Sequence, residues 1–171
     1  MSRNRIVMAA LSLSAAGFAA LVATEGFIGT ARSPVPGDVA TVGFGSTRHA
    51  DGTPVKAGET ITPTAAVKLA VRDVAVKEAT LKTCITVPLH QYEYDAYVYL
   101  SYNVGPAAVC RSSIPRKLAA GDYEGACKTI LDFRRVQGRD CSLPQNARFC
   151  GGIWTSRQKW TRICLGQEPA R

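Results

Sequence analysis

The chain opens on an uninterrupted apolar run. Residues 6–23, IVMAALSLSAAGFAALVA, carry no charged side chain, and Arg3 and Arg5 precede them. As a helix, these 18 residues would span roughly 27 Å, close to the hydrocarbon thickness of a bilayer. The run ends just before Glu25. From 26 to 60 the pattern becomes a polar ribbon rich in Gly, Pro, Thr and Asp. Within it, Val39–Phe44 and the residues near Thr53–Val55 read as short strands around the turn Asp51-Gly52. The period then becomes helical. Thr62 is a candidate N-cap with Pro63 at the first helical position. Val67, Ala70, Val71 and Val74 recur on one face, with Lys68, Arg72 and Asp73 off it. This spacing predicts a helix to about Lys82.

Pro88 breaks the chain, and a second helix is expected from about Gln91 to Asn103, stopped by Gly105-Pro106. Its tyrosines (92, 94, 97, 99 and 102) are too dense for one face, so most belong to the core or its rim, with one or two available to line a sugar site. Shorter helices are expected over Ser113–Ala120, Asp122–Val136 and Ile153–Ile163, with Gly121 and Gly138 as C-caps. Trp154 and Trp160 fall on the last of these, one of them in the core. Arg134-Arg135 read as a solvated helix face. His49 and His90 read as solvated or loop residues. No internal repeat is present. The elements imply an α+β fold, mainly α, with a small β-ribbon lobe followed by a helical lobe.

Three readings compete for residues 6–23. A cleaved signal peptide is one, but the run is long for it and Leu21 occupies the −3 position of the best cleavage point. The N-terminal helix of a soluble domain is the second. The third, which the length, flanks and Ala content favour, is a marginal membrane anchor that can later leave the bilayer. Seven Ala, one Gly and two Ser weaken its hold, and the two arginines would keep its start on the cytoplasmic side. The domain expectation is a segment 1–24, anchor and then N-terminal helix, ahead of a catalytic domain 25–171.

Composition agrees with a folded domain: 46% hydrophobic and 20% charged residues among 171 exclude a disordered chain. The net charge of +8 suits nucleic acid, anionic membranes or anionic wall polymers. No RNA-recognition signature, zinc-finger spacing or block of like charges supports nucleic acid, and none is expected as a partner. Six cysteines (84, 110, 127, 141, 150 and 164) all lie downstream of residue 80. An even set without Cys-x-x-Cys, far from either histidine, reads as three disulfides formed in an oxidising compartment rather than as a metal site. Cys141 and Cys150 enclose a short polar loop and form the expected first pair. Neither a metal nor a cofactor is expected.

The candidate chemistry centres on Glu25. A carboxylate with apolar residues behind it and a turn-rich ribbon ahead can be desolvated on one side, which raises a carboxyl pKa and suits a general acid. Downstream, Thr41-Val42-Gly43-Phe44-Gly45-Ser46-Thr47 supplies a hydroxyl beside two glycines.

The blocks Glu25-Gly26-Phe27 and Thr41-Val42-Gly43-Phe44-Gly45 resemble the Glu-Gly…Thr-x-Gly-x-Gly pattern of the phage-type lysozymes, glycoside hydrolase family 24. Leu100-Ser101-Tyr102-Asn103-Val104-Gly105 is similar to the family's Phe-x-Asn-x-Gly helix end. Gly152-Ile153-Trp154-Thr155-Ser156-Arg157 is similar to its C-terminal Gly-Leu-x-x-Arg-Arg block. The resemblance covers about residue 20 to residue 165 in the same order. It implies a lysozyme-like fold with the cleft between the two lobes. It further implies an endolysin that cleaves the MurNAc-GlcNAc β-1,4 bond of bacterial peptidoglycan during host lysis. Glu25 would be the general acid, Thr41 would hold the attacking water, Asn103 would contact substrate and Arg157 would be a buried or cleft-edge support. Residues 6–23 look like the uncleaved signal-anchor-release segment of exported members. That places the protein in the host periplasm, held at first in the inner membrane, as a monomer.

One departure bears on mechanism. The family pattern places an Asp nine residues after the Glu and the Thr fifteen after it. Here Pro34 stands at nine, and Thr41 follows at sixteen. Asp38, three residues before Thr41, is the candidate replacement. The alternatives are that Asp38 is only a turn former, or that no second carboxylate is used. In the latter case Thr41 and the backbone position water, or the sugar's own 6-hydroxyl attacks, as in a lytic transglycosylase. A membrane-tethered, non-catalytic wall-binding protein is the remaining alternative.

Overall fold

The computed structural model describes residues 4–33 and 38–169; Pro34 and Arg3 lie outside the described residues. The fold is α+β and mostly helical. The chain divides into two compact units: Phe18–Val76, and a second that joins the N-terminal residues through Gly17 to everything from Lys77 onward.

In the unit Phe18–Val76, helix α1 (Ala15–Glu25) leads into a two-stranded antiparallel hairpin of β1 (Ile28–Arg32) and β2 (Thr41–Gly43). Ile28 faces Gly43 and Arg32 faces Thr41, with a bulge between these pairs. The strand expected over Val39–Phe44 is therefore present in part, but its partner is the stretch directly after Glu25. The Asp51-Gly52 turn forms as expected, with a bridge between Arg48 and Pro54 and backbone hydrogen bonds from His49 to Thr53 and from Gly52 to His49. Helix α2 (Pro63–Cys84) starts where Thr62 and Pro63 place it, and Thr62 Oγ1 accepts the Ala65 N–H at 3.3 Å.

The buried face of α2 differs from the expected one. Ala66, Leu69, Ala70 and Val74 are buried, while Val67 and Val71 are 40% and 52% exposed. The reason is a close approach: a Cβ on Gly43 would lie 2.9 Å from Ala66 Cβ. The hairpin needs a small residue beneath it, and this selects the Ala66–Ala70 stripe over the valines. Ala31, Val42, Val55 and Leu69 form the apolar cluster there, with Ala40 and Ile61 against it.

The second unit is built on helix α3 (Gln91–Val104). Gly105, at φ 83°, ends it and Pro106 at once begins α4 (Pro106–Arg111), a helix the sequence pattern did not suggest. Helix α5 (Ile114–Ala119) follows. The helix expected over Asp122–Val136 breaks early. Helix α6 covers Tyr123–Lys128, a 3-10 turn covers Thr129–Asp132, and the chain then enters a small hairpin of β3 (Arg135–Val136) and β4 (Arg139–Asp140). Gly138 is accordingly a hairpin-turn residue beside Gln137, both at positive φ, and not a helix cap. Arg134 and Arg135 belong to that hairpin rather than to a helix face. The last helix, α7 (Ala147–Cys164), begins earlier than expected and kinks at Cys150.

Three disulfides form, as expected: Cys141–Cys150 is the expected first pair, and Cys84–Cys110 and Cys127–Cys164 are pairings the sequence left open. Tyr94, Tyr97 and Tyr99 are core residues, and burial pushes the Tyr94 and Tyr97 hydroxyls far above the usual phenol range, with Glu78 adding to the effect at Tyr94. Trp160 is the core tryptophan, stacked on Tyr99 at 3.9 Å.

Residues 6–23 do not form one helix. Ile6 pairs with Leu89, Met8–Ala10 is a 3-10 turn, and α1 begins only at Ala15. The cause is capping. Ser14 Oγ accepts the Gly17 N–H at 2.9 Å, and Asp95 accepts from both the N–H and the hydroxyl of Ser14. This starts the helix at one defined point. Among the described residues no helix is long and apolar enough to cross a membrane.

Candidate active site

Helix α1 carries Glu25 at its C-terminal end, where it is half-buried. The Gly26 N–H closes the last helical turn on the Val22 carbonyl at 3.1 Å. Gly26 lies at φ 71°, a conformation that costs a residue with Cβ about 1–2 kcal/mol. The Glu-Gly pair thus ends the helix and reverses the chain directly into β1.

The second block is also explained residue by residue. Thr41 is half-buried, and its hydroxyl donates to the Arg32 carbonyl at 3.4 Å. Val42 is buried in the apolar cluster. Gly43 permits the approach to Ala66, and Gly45 takes φ 89°. Val42 and Ser46 exchange two backbone hydrogen bonds of 3.0 Å around the turn, and Ser46 Oγ donates to Asp73 at 2.6 Å. The rings of Phe27 and Phe44 meet at 5.9 Å. The hairpin register therefore fixes Thr41 relative to the residues that follow Glu25. Asp38 is exposed, in a bend just before β2.

In the other unit Arg157 is buried. Its Nε donates to the Phe133 carbonyl at 2.9 Å, and its Nη2 donates to Asn103 Oδ1. Asn103, at the end of α3, is exposed. The structure thus brings Arg157 and Asn103 together, two residues far apart in the chain.

Other chemistry was less visible in the sequence. His49 is half-buried, and its Nε2 lies 2.7 Å from Glu59. The Glu59 carboxyl is held below the usual range, first by a backbone hydrogen bond from Lys56 and then by His49. His90 heads α3 and stacks on Tyr92. Glu93 and Asp95 are each only 3% exposed. The cue for Glu93 was its place three residues into a helix, where its carboxylate accepts the His90 N–H at 2.7 Å as in a capping box. No cue marked Asp95, because its partner Ser14 lies 81 residues away. Among the described residues no cluster of three or more His, Cys, Asp or Glu is arranged to hold a metal ion.

Comparison with known proteins places this arrangement. The phage lysozyme family model matches residues 22–148. The endolysin of Salmonella phage P22 is 32% identical over 111 residues, 64% of this chain and 76% of its own. The SAR-endolysin of Escherichia phage 933W is 33% identical over 68 residues, 40% of this chain and 38% of its own. The solved endolysin from Escherichia coli O157:H7 phage FAHEc1 superimposes with a TM-score of 0.77 at 28% identity, covering 93% of this chain and 96% of that one. The fold is lysozyme-like, as the sequence blocks implied, and the chain belongs to the phage lysozyme family, as an endolysin-type muramidase acting on peptidoglycan.

Proposed function

We propose that Glu25 is the general acid that protonates the glycosidic oxygen, that Thr41 orients the attacking water, and that Asp38 is the second carboxylate. The observation that carries this reading is the local geometry of the two blocks: a glutamate at a helix end, a glycine turn, and a hairpin whose register seats Thr41 on the Arg32 carbonyl. Glycosidic cleavage passes through a positively charged transition state. It generally needs one protonated carboxyl and one ionised carboxylate. A half-buried Glu25 suits the first role and an exposed Asp38 the second, since water keeps a carboxylate charged. Asn103 is a substrate contact, and Arg157 holds it in place through the hydrogen bond to its Oδ1. The net charge of +8 attracts the anionic wall. The enzyme works as a monomer.

Glu25→Gln should lower clearing of purified peptidoglycan by roughly 100-fold or more while wall binding persists. Wild-type clearing by that variant removes Glu25 from the mechanism. Mass spectrometry of the products separates the two chemistries: reducing ends mark hydrolysis, and anhydro sugars mark a transglycosylase.

We further propose that residues 6–23 first anchor the exported protein in the inner membrane and later leave it for the periplasm. The likeness to a relative named as a SAR-endolysin supports this, as do the contacts that receive the segment here. Arg5 donates to Glu93 at 3.1 and 2.8 Å and lies 3.5 Å from the centroid of the Tyr123 ring. Glu78 accepts the Leu13 N–H at 2.6 Å, Asp95 holds Ser14, and Lys82 donates to the Leu11 carbonyl at 2.6 Å. While the segment is in the membrane, these groups lack those partners; release restores them. Ala9, Ala10, Ala15, Ala16 and Ala19 are exposed in this structure, so leucines there are compatible with the released fold but strengthen the anchor. That five-fold substitution should leave the protein exported and non-lytic; lysis on the wild-type schedule refutes the anchor.

A further inference from the structure

We propose that the loop from Phe133 to Cys150 is a docking surface for an anionic phospholipid bilayer. It carries four arginines (134, 135, 139 and 148) against a single acid, Asp140. That acid is already neutralised. Arg134 Nε lies 3.0 Å from it, and Ser142 donates to it through both hydroxyl and N–H. Arg135, Arg139 and Arg148 are exposed, and none forms an ion pair among the described residues. The loop therefore presents a local excess of positive charge.

The same loop exposes two large apolar side chains. Leu143 is 42% exposed and Phe149 is 46% exposed. Arg139 lies over the Phe149 ring, 4.6 Å from its centroid. A guanidinium laid on an exposed ring suits a bilayer interface, where phosphate meets the charge and the glycerol–acyl boundary takes the ring. A glycan strand would satisfy the arginines but offers little to Leu143, and this favours lipid over wall polymer.

The surface is also ordered in advance. The Cys141–Cys150 disulfide closes it, the Cys141 N–H bonds the Arg134 carbonyl at 2.8 Å, and Asn146 Nδ2 bonds the Asp140 carbonyl at 2.8 Å. The kink at Cys150 sets the first turn of α7, with Arg148 and Phe149, apart from the rest of that helix. Little ordering entropy is lost on docking to a loop already held this way. Docking through this loop would keep the enzyme on the membrane face between bilayer and wall without the N-terminal segment.

The test is co-sedimentation of the full chain with phosphatidylglycerol–phosphatidylethanolamine vesicles and with phosphatidylcholine vesicles at about 0.15 M salt, where the Debye length is only about 8 Å. Each arginine near an anionic surface strengthens binding roughly fivefold. R135Q/R139Q/R148Q should therefore weaken binding to the anionic vesicles on the order of 100-fold, with a smaller loss for L143S/F149S. The charge-matched control R111Q/R116Q/K128Q should stay within about threefold of wild type, because charges beyond the Debye length of the surface are screened. The N-terminal segment is common to all variants, and thermal unfolding of each confirms that it folds. Equal loss in the control reduces the effect to net charge and overturns the proposal. Unchanged vesicle binding with lost sedimentation on purified wall assigns the loop to the glycan and also overturns it.

Discussion

The two units of this enzyme keep their shape by different means. Phe18–Val76, which carries Glu25, Asp38 and Thr41, contains no cysteine. One apolar cluster in it joins buried Ala31, Val42, Val55 and Leu69 to Ala40 and Ile61. Polar contacts supplement it: Ser46 to Asp73, His49 to Glu59, and Arg72 to the His49 carbonyl. The other unit holds all six cysteines as disulfides, with buried Trp160, Tyr94 and Tyr97. A two-stranded hairpin cannot bury enough apolar area to be stable by itself. Its order depends on glycines that fit one geometry and on hydrogen bonds that fit one register. The candidate catalytic groups therefore lie on the less tied framework, where functional elements tend to lie.

Breaking the covalent ties should have the largest effect, confined at first to the disulfide-bearing unit. Replacing Cys127 and Cys164 by Ala opens a closure of 37 residues and should cost about 4 kcal/mol in the chain-entropy model. Chemical denaturation measures it. Hydrogen exchange should show the loss around α6 and α7, with less change in the β1–β2 hairpin. A uniform loss across both units would mean that they unfold as one and would erase the contrast.

The converse variant is Gly43→Ala. It combines a positive φ of 66° with a 2.9 Å approach to Ala66, and should cost about 2–3 kcal/mol. Wall clearing should fall further than global stability does, because the strain lies beside Thr41. Activity that declines only in step with the melting temperature would separate the hairpin from catalysis.

The smallest effect concerns pH. The Ser142 hydroxyl and N–H, and then Arg134, hold the Asp140 carboxyl below its usual range. A depressed carboxylate contributes stability that is fully present above its unfolded pKa and is lost as pH falls through the folded value. Asp140→Asn should therefore lower the melting temperature slightly at pH 7, and the difference should vanish under strong acid. A difference that persists at low pH would mean that the carboxylate's charge is not what orders this loop.

Much of this was legible in the chain. The two helices opened by Pro63 and Gln91 begin where capping and Pro signals placed them, because such signals are local. Glu25-Gly26 and Thr41-Val42-Gly43-Phe44-Gly45 could be recognised as blocks, because each residue answers a local demand of turn or register. The Cys141–Cys150 pair was legible because the loop between the two cysteines is short.

What the sequence did not determine depends on distant partners. Val67 and Val71 satisfied a helical period alongside Ala70 and Val74, yet only the latter two are buried; the approach of Gly43 brought Ala66 inward in place of the two outer valines. Residues 6–23 read as one continuous helix until Asp95, far along the chain, capped Ser14 and set the start at Ala15. The stretch Asp122–Val136 had helical composition throughout, yet it turns into a hairpin whose order comes from Arg134, Asp140 and the disulfide that follows. Capping, turn chemistry and periodicity act over a few residues and are written in the sequence. The choice between two equally apolar faces, and the point at which a uniform apolar run breaks, belong to contacts that exist only once the chain has folded.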